Sequence, residues 1–172
     1  DPTGDVIART GVDVSSYQGD IDWNAVREAG AEFAIVRVGF RGYGTGALVE
    51  DNAFAQNAAD AANAGLTVGV YFYSQAVTEE EAAEEARFVV ERLRGTNVSG
   101  PIAYDLEFYT ADEARTDDLT GEQATQNAIA FCDVIRQAGY EPVVYMNLHW
   151  AGSMYGIEEL AHLPVWLASY GP

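Results

Sequence analysis

Apolar positions along this chain follow two rhythms. Short, nearly unbroken apolar runs lie near 11–15, 33–38, 67–74, 101–107, 142–147 and 164–169. Between them, apolar residues recur at three- and four-residue spacing near 23–29, 51–64, 79–94 and 121–138, and more briefly near 155–161. The first rhythm predicts strands covered on both faces, and the second predicts amphipathic helices. The punctuation agrees. Three helical stretches end in Ala29-Gly30, Ala64-Gly65 and Ala138-Gly139, a fourth in Arg94-Gly95, and an apolar run follows each. Glycine suits the left-handed residue just past a helix end. Thr78 with Glu81, and Thr120 with Gln123, fit capping boxes at helix starts. Helix and strand therefore alternate, which predicts crossover connections and a parallel sheet.

Such a sheet is either open and doubly wound or closed into a barrel. Polar residues collect at the carboxyl ends of successive predicted strands: Asp13, Arg37, Tyr73 and Ser74, Asp105 and Glu107, Asn147, and Tyr170. Polar groups at the end of nearly every strand are the layout of a barrel mouth. A doubly wound sheet would gather them at one switch point. No Pro- or Ser-rich linker interrupts the 172 residues, so 1–172 reads as one domain.

Charge narrows the choice of partner. Twenty-seven acidic residues stand against nine basic ones, all arginine, for a net charge of −18. That field repels phosphate backbones and anionic lipid, so neither nucleic acid nor a membrane surface is an expected partner. No apolar run approaches the roughly 20 residues of a membrane helix. A single cysteine, Cys132, excludes an internal disulfide and a Cys-rich zinc site; its place on an apolar helix face predicts a buried, inert thiol. His149 and His162 fall in no metal-ligand spacing, and no metal or other cofactor is expected. Gly42-Tyr-Gly-Thr-Gly-Ala47 loosely matches a dinucleotide fingerprint, but it does not open a helix, so it reads as a flexible loop over the barrel mouth. The acidic run 79–85 reads as a solvated helix face.

The chemistry concentrates in Ile102-Ala-Tyr-Asp-Leu-Glu-Phe108. Asp105 and Glu107 are two apart on a strand, so both side chains leave the same face with Cα atoms roughly 6.5–7 Å apart. Two carboxylates that close do not both ionise freely, which prepares a general acid beside a charged stabiliser, as in glycoside hydrolysis. The spacing alone leaves open a pair of strand-end carboxylates that bind backbone or a structural cation. Asp13, inside an apolar first strand, needs a partner or a task. It either faces the same mouth or orders the loop that follows it.

Taken in order, several motifs resemble glycoside hydrolase family 25, the lysozymes (N-acetylmuramidases) of bacteria and phages. They are Asp13-Val-Ser-Ser-Tyr-Gln-Gly19, Ile21-Asp-Trp23, Arg37-Val-Gly39, Asp51 with Phe54 and Asn57, Gly69-Val-Tyr-Phe-Tyr73, Asp105-Leu-Glu107, and Trp166 with Tyr170. The resemblance covers almost the whole chain. It implies a modified TIM-like β/α barrel of five βα units with a tail of short strands. It also implies cleavage of the β-1,4 bond between N-acetylmuramic acid and N-acetylglucosamine in peptidoglycan. Carried over, Glu107 resembles the general acid, Asp105 the residue that assists the substrate's own acetamido group, and Asp13 a supporting site carboxylate. Tyr73, Arg37, Asn147, Trp166 and Tyr170 are the substrate-binding candidates. Tyr104 fits the core better. The resemblance further implies two short strands and another carboxylate beyond Pro172, so the chain reads as C-terminally incomplete relative to the family.

Two rival readings remain. A barrel-type chitinase would carry aspartates where this chain has Gly100 and Ala103, and an inactive wall-binding module would have no need of three site carboxylates. The expected partner is therefore the peptidoglycan glycan strand, met by a secreted or wall-associated monomer. A protein at −18 facing a carboxylate-bearing wall is expected to favour acidic pH or elevated salt.

Overall fold

The computed structural model describes residues 9–107, 113–148 and 151–168. Six strands run parallel in spatial order β1 (Gly11–Val14), β2 (Phe33–Arg41), β4 (Thr67–Ser74), β5 (Ile102–Leu106), β6 (Pro142–Asn147) and β7 (Val165–Ala168). Helices α1 (Trp23–Glu28), α2 (Phe54–Asn63), α3 (Glu79–Arg92) and α4 (Gly121–Gln137) alternate with them. Residues from β1 and from β7, the two ends of that strand path, line one pocket. The sheet is therefore curled into a half-barrel.

The strands are not uniformly apolar. Val36 and Val38, Val68 to Phe72 at every second position, Ile102 to Leu106 likewise, and Val144 with Met146 are buried. These alternate residues face α2, α3 and α4 and form the core with Phe54, Val89, Phe131 and Ile135. The intervening positions point into the half-barrel and carry Tyr71, Tyr73, Asp105, Tyr145 and Trp166 instead. The strands thus have an apolar outer face and a polar, aromatic inner one. Tyr104 is an outer-face residue. It is fully buried against Phe131, with ring centroids 5.1 Å apart, which settles it as core.

Helix ends follow the sequence signals. Gly30 and Gly139 take φ of 101° and 88° just past α1 and α4. Thr78 and Thr120 accept from the Glu81 and Gln123 amides, as capping boxes require. Glu81 does not complete its box, because its carboxylate takes the Val77 amide and Arg115 instead.

Three expectations are corrected. The 42–47 segment is the tip of an antiparallel hairpin from β2 to β3 (Leu48–Glu50), closed by the Gly42 amide on the Ala47 carbonyl. Arg41 and Arg115 tie it down through the Gly46 and Tyr43 carbonyls. Gly39 permits the close approach of β3, since a Cβ there would strike the Val49 carbonyl. The helix predicted near 155–161 is the single turn α6 (Ile157–Leu160), and a separate turn, α5 (Ala151–Met154), precedes it unpredicted. The acidic run is not wholly solvated, for Glu85 is 0% exposed. It accepts from Arg41 Nε at 2.8 Å and from Ser74 Oγ at 2.6 Å. A register shift between Arg37 and Gly39 makes this possible. The extra residue leaves Arg37 inside the half-barrel and turns Arg41 outward to α3.

Candidate active site

Register gathers the inward positions row by row. Asp13 lies opposite Ile35, Arg37 opposite Tyr71, Tyr73 opposite Asp105, and Tyr145 and Asn147 opposite Trp166 and Ala168. Between them opens a pocket of about 310 Å³ in which Asp13, Asp105 and Glu107 meet Tyr71, Tyr145 and Trp166. The Trp166 ring meets Tyr71 and Tyr145 edge to face, with centroids 6.0 and 5.1 Å apart. These contacts make a neutral aromatic wall beside three carboxylates.

Electrostatics separate the three acids. Asp105 is buried, and its Oδ1 has no hydrogen-bond partner among the described residues. Burial, then the charges of Glu107 and Asp13, push Asp105 well above the usual carboxylate range, and Arg37 offsets only part of this. Glu107 is half-buried just past the end of β5, and burial followed by the Asp13 charge raises it too. Asp13 is exposed to the pocket. Asp105 and Glu107 therefore hold a proton at a pH where separate carboxylates lose it.

The other candidates are distributed around this pocket. Arg37 and Tyr73 line an adjoining cleft of about 330 Å³ with Tyr17, Phe40, Arg41 and Tyr43. Arg37 is bound there: its Nε donates to Asp51 at 2.7 Å, its Nη2 donates to Ser16 Oγ, and it lies 4.9 Å from the Tyr17 ring centroid. Asn147 ends β6 opposite Ala168 and lines neither cavity. Trp166 lies in the acidic pocket. Tyr170 and His149 fall outside the described residues. Sequence reasoning missed Tyr71 and Tyr145. Counting by twos back from Tyr73 and Asn147 along the inner face would have found both. Cys132 is buried, and burial pushes its thiol up to about 12. Among the described residues no group of three or more His, Cys, Asp or Glu side chains is arranged to hold a metal ion.

The family model for glycosyl hydrolases family 25 matches residues 12–172. The chain belongs to this family. It is 32% identical over 179 residues to lysozyme M1 of Streptomyces globisporus, covering 94% of this chain and 54% of that one. It is 26% identical over 161 residues to the autolytic lysozyme of Clostridium acetobutylicum, covering 94% and 45%. The solved modular autolysin LytC of Streptococcus pneumoniae, in complex with a synthetic peptidoglycan ligand, superposes with a TM-score of 0.79 at 25% identity, covering 93% of this chain and 37% of that one. The chain thus spans about half the length of the curated relatives it matches. The half-barrel is the modified TIM-like fold of the family. No described helix is long and apolar enough to cross a membrane.

Proposed function

We propose that residues 1–172 form a single catalytic domain that hydrolyses the β-1,4 bond between N-acetylmuramic acid and N-acetylglucosamine in peptidoglycan. The observation that carries this reading is the meeting of Asp13, Asp105 and Glu107 in one aromatic-walled pocket, where Asp105 and Glu107 are both raised. Family membership supports it, as do the relatives named lysozyme.

The roles follow from the environments. Asp105 Oδ1 is a buried acceptor without a donor, and the N–H of a substrate acetamido group supplies one. That bond stabilises the charged form and lowers Asp105 in the complex. The proton retained by the Asp105–Glu107 pair then resides on Glu107, which the charge of Asp13 helps keep protonated. Glu107 donates it to the glycosidic oxygen as the bond to the leaving sugar breaks. The acetamido oxygen, oriented by Asp105, attacks the anomeric carbon from the other side. Water opens the resulting ring, giving its proton back to Glu107. Tyr71, Tyr145 and Trp166 offer the sugar apolar faces with polar edges. Arg37 and Tyr73 extend the glycan site into the adjoining cleft, and Asn147 and Tyr170 complete the set of proposed substrate-binding residues. The protein works as a secreted or wall-associated monomer and needs no cofactor.

A digest of purified peptidoglycan with borohydride reduction and mass spectrometry tests this. The expected new reducing end is muramic acid, absent with Glu107→Gln. New glucosamine ends, or no cleavage, would overturn it.

A further inference from the structure

Glu107 sits one residue beyond the paired part of its strand. The β4–β5 register ends at Ser74 opposite Leu106, and the β5–β6 register ends still earlier, at Tyr104. The ladder that fixes Asp105 therefore stops short of Glu107, whose backbone must be held by other means.

The Gln75 side chain, fully buried behind the site, supplies such a hold. Its Nε2 donates to the Ser74 carbonyl at 3.0 Å and to the Glu107 carbonyl at 3.5 Å. Its Oε1 accepts from the buried Thr116 hydroxyl at 3.1 Å. The backbone of Gln75 is clamped as well. Its amide donates to Glu85 Oε1 at 3.4 Å, and its carbonyl accepts from Arg115 Nη1 at 3.2 Å. The turn that presents this carboxamide is tied on each side: Ser74 Oγ donates to Glu85, and Asn127 Nδ2 donates to the Ala76 carbonyl. One amide group thus joins the end of β4, the residue after β5 and the Thr116 turn, using both donor and acceptor. It lines neither the acidic pocket nor the adjoining cleft.

We propose that Gln75 is a positioning residue for Glu107: its carboxamide, oriented by Thr116, replaces the missing ladder bond and fixes the acid relative to Asp105 and Asp13. The catalytic half of this inference rests on the reading of Glu107 as the acid, and the positional half does not. Reacting groups misplaced by about 1 Å can cost 100-fold in rate, so a bond made far from the sugar matters to turnover.

The test uses the whole chain with Gln75→Leu, which keeps side-chain bulk and deletes the donors, and with Thr116→Val, which removes only the hydroxyl that orients the carboxamide. Two readings are taken on each. The first is the titration midpoint of the Glu107 carboxyl by carbon NMR, assigned by comparison with Glu107→Gln. A released Glu107 moves toward water, so its midpoint falls toward the ordinary carboxylate range. The second is turnover of peptidoglycan fragments. The expected loss is about 10- to 100-fold in kcat for Gln75→Leu, less for Thr116→Val, with KM within about threefold for both. Folded variants with an unmoved Glu107 midpoint and unchanged kcat overturn the proposal. So does failure of both variants to fold, which would make the carboxamide a stability element alone. A midpoint that moves in a chain that never cleaves peptidoglycan leaves the positioning intact and sinks the assigned function instead.

Discussion

Asp51 and Asp105 are both buried, at 2% and 5% exposure, yet they behave as opposites. Burial raises each. At Asp51 the chain answers with three donors: the Ser16 amide at 3.0 Å and Arg37 Nε at 2.7 Å on one oxygen, the Ala53 amide at 2.9 Å on the other. These outweigh burial and hold Asp51 below the usual carboxylate range. At Asp105 one oxygen finds no donor among the described residues, and the charges of Glu107 and Asp13 outweigh that of Arg37. Burial does not set a carboxylate's character; its partners do. A structural acid is satisfied by its own chain, whereas the proposed site acid is left incomplete so that a ligand can finish it. Glu85 stands between the two. Arg41, Ser74 and the Gln75 amide all reach it, but burial still pushes it up to about 7, because a single guanidinium shared with Glu84 does not fully replace water.

The largest expected effect concerns the incomplete side of this contrast. Glu107→Gln should lower turnover by about 100- to 10,000-fold, the usual worth of a general acid, while urea unfolding shows no loss of stability. Asp51→Asn should do the reverse. It leaves Arg37 without its charge partner and costs about 2–4 kcal/mol of stability in the same urea experiment. Asp105→Asn should stabilise the fold by about 1–2 kcal/mol at neutral pH while turnover falls, since it removes a buried charge that Arg37 offsets only in part. If both aspartate variants lose stability equally, the contrast is wrong.

The comparison also predicts opposite pH dependences. Asp105 and Glu107 have raised folded values, so the stability they contribute is present below the ordinary carboxylate range and lost as pH rises through those raised values. Asp51 has a lowered value, so its contribution is present above the ordinary range and lost as pH falls through the lowered one. Unfolding curves against pH should therefore diverge. The advantage of Asp105→Asn over the parent grows as pH rises above about 4, and the deficit of Asp51→Asn shrinks as pH falls below about 4. Parallel curves would show that neither carboxyl is perturbed. The same retained proton predicts a hydrolytic optimum on the acidic side, measurable as reducing ends released across pH at fixed salt.

Much of this was legible in the sequence. Helix and strand alternation, glycine stops and the Asp105-Leu-Glu107 spacing are local, and they were enough for the succession of βα units and for two candidate acids. Long-range pairing was not legible. Glu85 looked solvated because its partner Arg41 lies 44 residues away and faces it only after a bulge that no local signal marks. The Arg37–Asp51 ion pair was equally hidden, because Asp51 comes 14 residues later, past a hairpin concealed in a glycine-rich stretch. Tyr73 was preferred to Tyr71 because strand ends were counted rather than the curl of the sheet. That curl sets Tyr71 in the acidic pocket and Tyr73 in the adjoining cleft.

The smallest predicted effect sharpens the contrast from its neutral side. Trp166 touches the pocket through rings alone, meeting Tyr71 and Tyr145 edge to face. Trp166→Phe keeps an aromatic surface but shortens it, and stacked aromatic contacts are worth about 0.5–1.5 kcal/mol beyond area. KM for peptidoglycan fragments should therefore rise about two- to tenfold, with kcat nearly unchanged. The Glu107 titration should not move, because no charge near it has changed. A shifted Glu107 midpoint in Trp166→Phe would mean that the shape of the pocket, rather than its unpaired carboxylates, holds the proton.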